Sequence, residues 1–136
     1  MNDWQTTDGR FESWDGKELF FRAWRPVEDS NKALIFLHRG HEHTGRIGQQ
    51  VEEFGLTDFW AFSWDIRGHG HTEGPRGYTD SFYDHVRDLD AFVRMISREY
   101  AIPVENIALV ANSIGAVTAT AWVHDYAPRI LSLIHI

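Results

Sequence analysis

Three apolar runs punctuate this chain, and each stops at a polar loop. ALIFLHRG (33–40) passes from aliphatic and aromatic residues to His-Arg-Gly, and FWAFSWDIRGHG (59–70) passes from a mostly apolar run to Asp65 and a glycine-bearing loop. IALVANSIGAV (107–117) ends in Ala-Asn-Ser-Ile-Gly and leads at once into small, helix-compatible residues. Runs without polar alternation predict strands covered on both faces, which means parallel strands with helices on either side. Between the second and third runs, Phe82, Val86, Leu89, Val93, Ile96 and Tyr100 recur at steps of four and three, the period of one helical face. Ser81 followed by Asp84 has the form of a capping box, Asp90 and Arg94 make a favourable pair one turn apart, and Pro103 marks the exit. A shorter helix is predicted from Ile47 to Phe54, ending around Gly55, and another from Ile114 to Asp125. At the front, RFESWDGKELFFRAWRP places Asp15-Gly16 between two aromatic-rich alternating runs, a β-hairpin signal. The expected fold class is α/β: a mainly parallel sheet with helices on both faces and an N-terminal β-hairpin.

In open α/β sheets, ligands bind at the carboxyl ends of the strands. The loops HRGHEH, DIRGHGH and ANSIG are therefore expected to gather at one sheet edge. The third has the layout of a nucleophile elbow, in which a serine on a sharp strand-to-helix turn has its hydroxyl pushed clear of the sheet. Such a turn needs tiny residues two places before and two after the serine. Around Ser113, Gly115 meets the second requirement, and Ala111 approximates the first with one added methyl.

Composition narrows the picture. At 136 residues with 43% hydrophobic content, the chain is one globular domain at most. Its net charge of −7 argues against nucleic acid or an anionic membrane surface as partner. It contains no cysteine, its first ten residues are polar and acidic, and no apolar run approaches spanning length. A cytoplasmic protein that is not an integral membrane protein is expected. The eight histidines raise the question of a metal, since His38, His41, His43, His69 and His71 fall in two loops expected to be neighbours. Their spacing is not that of a His-Glu-x-x-His site, because Glu42 stands directly between His41 and His43. No metal and no cofactor are expected.

With these motifs in order, the chain resembles the α/β-hydrolase fold, and within it the serine aminopeptidase, lysophospholipase and monoacylglycerol-lipase-like group. The resemblance spans roughly residues 10 to 130. It rests on the hairpin DGKELFFRAWRP, the histidine-glycine loop HRGHEHTGR, the loop DIRGHGHTEGPRG and the elbow ANSIG. It implies a serine hydrolase that attacks a carboxylic ester, lipid-like in the commonest case, with Ser113 as nucleophile and the backbone N–H groups of Gly40 and Ile114 as oxyanion hole. It further implies that His38, His43 and His69 brace loops by hydrogen bonds to the backbone, and that Asp65 forms a turn. Some bacterial members with the HRGHEH variant are fused to a further downstream domain. The chain departs from the group's pattern at three places: Arg39 where glycine is usual, Asn112 in place of histidine before the serine, and Thr72 in place of serine. Arg39 either binds a substrate carboxylate or phosphate or projects into solvent. Arg39 and Asn112 together motivate an alternative, a non-catalytic binding or regulatory module on the same fold.

Hydrolases of this fold carry their triad in the order serine, acid, histidine. Ser113 lies close to Ile136, so the acid and the base are expected beyond this chain. His124, on the distal half of the helix leaving the elbow, and His135, near the end, are poor substitutes. Residues 1–130 are accordingly expected to be the N-terminal portion of one hydrolase domain. Residues 131–136, LSLIHI, are what CTG TCT CTT ATA CAC ATC encodes, the end sequence of a transposon adapter used in sequencing libraries. They are expected to be a translated adapter; a genuine apolar strand is the other reading. A domain divided there would leave a sheet edge and an apolar face uncovered.

Overall fold

A computed structural model describes residues 5–37, 44–65, 82–111 and 114–135, with the backbone alone for 44–46, 114 and 135. The alternating run at the front forms strands β1 (Gln5–Glu12) and β2 (Glu18–Arg25), antiparallel from Gln5 opposite Arg25 to Glu12 opposite Glu18. The turn between them is closed by Ser13 N–H donating to the Lys17 carbonyl at 2.9 Å and by Gly16 N–H donating to the Ser13 carbonyl at 3.0 Å. Gly16 has φ of +84°, a left-handed conformation that a side chain disfavours. Asp15 contributes the other half of the signal, its carboxylate accepting from Lys17 N–H at 3.2 Å.

The three apolar runs become strands β3 (Ala33–Leu37), β4 (Trp60–Trp64) and β5 (Ile107–Ala111). A fourth, β6 (Ser132–His135), lies in the stretch LSLIHI and pairs parallel with β5 from Ala108 opposite Ser132 to Ala111 opposite His135. The sheet has six strands in the order β1-β2-β4-β3-β5-β6, antiparallel across the hairpin side and parallel from β4 to β6.

Helix α1 (Thr44–Phe54) covers one face and helices α2 (Phe82–Tyr100) and α3 (Ile114–Tyr126) cover the other. The alternate residues of β3 divide accordingly. Leu34 and Phe36 pack with Ile47 and Val51 of α1, whereas Ala33, Ile35 and Leu37 pack with α2 and α3. Every residue of β3 and β5 is buried, which is why these runs carry no polar alternation. The predicted face of α2 is buried at Val86, Leu89, Val93 and Ile96, but Phe82 is exposed. Phe92, outside the predicted stripe, is fully buried at the centre of an aromatic cluster, with the rings of Phe11, Phe21, Phe62 and Trp64 within 4.9 to 6.4 Å of its own. The Asp90–Arg94 pair forms at 2.8 Å; Ser81 of the expected capping box lies outside the described residues.

Each helix stops on a left-handed residue. Gly55 follows α1 (φ +63°), Ala101 follows α2 (+56°) and Ala127 follows α3 (+45°). A glycine in that position carries no steric penalty, whereas an alanine does.

Candidate active site

Parallel pairing brings the carboxyl ends of β3, β4 and β5 to one edge, with Leu37 in register with Ala111 and Ile35 with Phe62. The strand ends that precede the three polar segments therefore lie side by side. Ser63 braces the edge from inside, its hydroxyl donating to the Phe36 carbonyl at 2.8 Å across β4 and β3. Asp65, the first residue beyond β4, is fully buried, and its N–H donates to the Phe20 carbonyl at 2.9 Å, so that β2 guides the chain one step past the end of the strand.

β5 ends at Ala111 and α3 begins at Ile114, leaving room for Asn112 and Ser113 alone between strand and helix. A reversal that short forces the first turn of α3 onto the neighbouring strand. Gly115 shows how tight the approach is: a Cβ at that position would lie 2.8 Å from the Leu37 carbonyl oxygen and 2.9 Å from the Leu37 Cβ. Real Cβ atoms essentially never approach backbone that closely, so a side chain at position 115 would force the helix or the strand to shift. Leu37 is also the residue immediately before His38, Arg39 and Gly40 in the sequence. The end of β3 and the first turn of α3 are thus in direct contact.

Of the residues singled out in the sequence, Ile114 and Gly115 open α3 as expected, while His38, Arg39, Gly40, Asn112 and Ser113 lie outside the described residues. Residues 66–81, with His69, His71 and Thr72, do too. His135 pairs by its backbone with Ala111, which puts it on the strand next to β5 at the same edge. His124 is 84% exposed on the last turns of α3. At 1.5 Å per residue, it stands about 15 Å along the helix from its start. Among the described residues, no group of three or more His, Asp or Glu is placed to hold a metal ion. No described helix is long and apolar enough to cross a membrane.

Two polar contacts that the sequence did not signal fix the helices around this edge. Ser13, in the hairpin turn, donates to the buried Asp88 of α2 at 2.6 Å. The Trp122 indole N–H of α3 donates to Asp90 of α2 at 3.1 Å, so Asp90 holds both Trp122 and Arg94. Farther along, the Tyr83 hydroxyl donates to one oxygen of Asp125 at 2.6 Å, and His124 Nδ1 lies 2.8 Å from the other. His124 first, and then Tyr83, hold the Asp125 carboxyl below its usual range, and Asp125 in turn pushes the Tyr83 phenol up to about 12. Apart from Asp90 with Arg94 on α2 and His124 with Asp125 on α3, these partners lie on different elements, and no local motif announces them.

Known proteins give the same picture. Residues 28–136 match the family described as serine aminopeptidase, S33. The protein YnbC of Escherichia coli (strain K12) is 41% identical over 125 residues, which cover 91% of this chain and 21% of that protein. A monoglyceride lipase homolog of monkeypox virus is 32% identical over 103 residues, covering 75% and 36%. Phospholipase YtpA of Bacillus subtilis (strain 168) is 28% identical over 115 residues, covering 84% and 41%. Among solved structures, a thermostable carboxyl esterase from Bacillus coagulans superposes with a TM-score of 0.80 at 17% identity, over 96% of this chain and 43% of that one. The chain thus spans less than half the length of these relatives. The match over most of its residues agrees with the sheet and helices: the chain belongs to the serine aminopeptidase S33 family and has the α/β-hydrolase fold.

Proposed function

We propose that this chain carries the nucleophile-bearing part of a serine hydrolase acting on carboxylic esters, with Ser113 as the attacking residue. The observation that carries the reading is the two-residue passage from β5 to α3, with Gly115 pressed on the Leu37 carbonyl. That is the strand–turn–helix context a nucleophile elbow requires. Ser113 Oγ attacks the ester carbonyl carbon and passes its proton to a histidine base held by a carboxylate, both supplied beyond this sequence. The tetrahedral oxyanion is received by the N–H groups of Gly40 and Ile114, each worth on the order of 10²–10³ in rate. Its collapse expels the alcohol, which takes up the proton, and leaves an acyl-enzyme that water hydrolyses. The phospholipase and monoglyceride lipase homolog among the relatives support a lipid-like ester as substrate.

Fluorophosphonate labelling of the full-length parent protein tests the reading. Labelling is expected at Ser113 and is abolished by Ser113→Ala. The second reading, a non-catalytic module, is favoured by Arg39 and Asn112 at positions the family usually gives to glycine and histidine. Full-length protein with a downstream acid and histidine, yet neither labelled at Ser113 nor active on esters, would establish it. This 136-residue chain by itself, without acid and base, is expected to be inactive, because losing triad members costs several orders of magnitude in rate.

A further inference from the structure

β1 is the outer strand on the hairpin side, and among the described residues no strand pairs with its far side. The hairpin register says which backbone groups point there. Ser13 N–H donates to the Lys17 carbonyl, so the odd-numbered residues of β1 face β2, while Thr6, Asp8, Arg10 and Glu12 turn their N–H and C=O groups outward. The bond from Asp65 N–H to the Phe20 carbonyl agrees, since Phe20, opposite Arg10, thereby faces away from β1. Charged side chains on an edge strand are the usual protection against pairing. Along β1, however, the sign alternates from Asp8 to Arg10 to Glu12. Charges of one sign repel every register, whereas alternating charges repel some registers and fit another.

A second copy of the same strand, run antiparallel, meets that pattern. Outward residues must lie opposite outward residues, so the allowed registers step by two. Asp8 opposite Asp8, or Arg10 opposite Arg10, sets like charges together. The register between them puts Gly9 on the two-fold axis, sets Asp8 of each copy opposite Arg10 of the other, and pairs Thr6 with Glu12. The charges are already held in place for it. The Arg10 guanidinium lies 5.8 Å from the centre of the Phe20 ring, and Arg22 lies 5.9 Å from the same ring. Asp8 accepts from Arg22 at 2.6 and 3.2 Å and its side chain is 48% exposed, so an arriving Arg10 would extend the row across the junction. The two-fold axis stands normal to the joined sheet, which puts α2 of both copies on one face. On that face a cavity of about 500 Å³ lies between β1 and the end of α2, lined by Phe11, Phe21 and Met95 and by Arg98 and Glu99. Its charged residues carry both signs, as the strand does, and Thr7 of the second copy would lie opposite Phe11 beside it.

We propose that the outer edge of β1 is a homodimer interface, in which two copies pair antiparallel with Asp8 opposite Arg10 of the second copy and join their sheets into one. The inference stands on the backbone register and the charge pattern of β1 and is independent of whether Ser113 is a nucleophile.

Sedimentation of the full-length parent protein over a concentration series, with amide hydrogen exchange on the same samples, tests it. A dimer is expected, and as it forms exchange at the outward Arg10 and Glu12 amides should slow by about tenfold or more. The Gly9 and Phe11 amides, turned toward β2, should be protected at every concentration and so report folding. Arg10→Asp and Asp8→Lys each set like charges opposite one another, so each variant alone should dimerise about tenfold or more weakly. Mixed in equal amounts, the two variants should recover the dimer, because each charge of one then meets its opposite in the other. If Asp8→Lys, which also loses the bond to Arg22, fails to protect Gly9 and Phe11, the wild-type exchange pattern decides alone. A parent protein that stays monomeric throughout overturns the proposal. So does a dimer whose Arg10 and Glu12 amides exchange as in the monomer, or a mixture of folded variants no more dimeric than its parts.

Discussion

The Asp125 carboxylate is held by an imidazole on its own helix and a phenol on another, and the signs of its titration follow from that. Its folded pKa is depressed by His124 and Tyr83, so the stabilisation is fully present above the ordinary carboxylate value, about 3.9, and is lost as pH falls through the lower folded value. Tyr83 works in the opposite sense: its raised pKa gives stabilisation fully present below 10, lost as pH rises through about 12. Phenolate absorbance should therefore show one late tyrosine near 12 that disappears in Tyr83→Phe. The same variant should flatten the acid and alkaline limbs of the unfolding midpoint against pH. Burial raises Tyr100 as well, so subtraction of the variant's curve makes the assignment. A Tyr83 that titrates with ordinary phenols would remove the contact from the account. At Gly115 the expectation is steric. Gly115→Ala should lower stability by about 1–3 kcal/mol, as overpacking against unyielding atoms does, measured as a drop in denaturant midpoint at unchanged slope. A loss under about 0.5 kcal/mol would mean that helix and strand can part cheaply.

Among the elements, what the sequence showed and what it hid have separate physical causes. The strands were legible because a strand buried on both faces must be apolar throughout, and β3 and β5 are. Gly55 was legible as the end of α1 because glycine is the residue without a penalty in the left-handed region. Ala101 and Ala127 gave no such signal, although the backbone does the same thing there. Ala101→Gly should relieve that strain, raising stability by up to about 1 kcal/mol, with the thermal midpoint as readout. No gain would place the cost elsewhere in the turn leading to Pro103. Phe92 stayed hidden because the periodic stripe marks one line along α2, whereas rings arriving from β1, β2 and β4 widen the buried face. The candidate site divides the same way. Gly115 at the start of α3 was readable because a tight strand-to-helix passage is a local motif, while the clasp from Tyr83 to Asp125 joins residues 42 apart and has no local signature.

At the scale of the whole sheet, the two edge strands differ in charge: β1 carries Asp8, Arg10 and Glu12, whereas β6 carries no Asp, Glu, Lys or Arg. Leu131, immediately before β6, is 53% exposed. Leu131→Lys is expected to raise the soluble yield of the isolated chain, because a charge at an edge disfavours uncontrolled strand pairing. Its folded stability should stay within about 0.5 kcal/mol, as for other exposed positions. Solubility compared with thermal unfolding of the same preparation checks both halves. An unchanged yield with reduced stability would show that Leu131 packs inward after all.

The clash that a side chain at position 115 would meet is chiefly with a main-chain carbonyl, an atom every residue at position 37 carries. No side-chain substitution at position 37 removes that oxygen, so a larger residue at 115 is accommodated only by moving the backbone of β3 or α3 apart. The demand for glycine at this position therefore comes from the fold itself, whether or not the protein turns over a substrate.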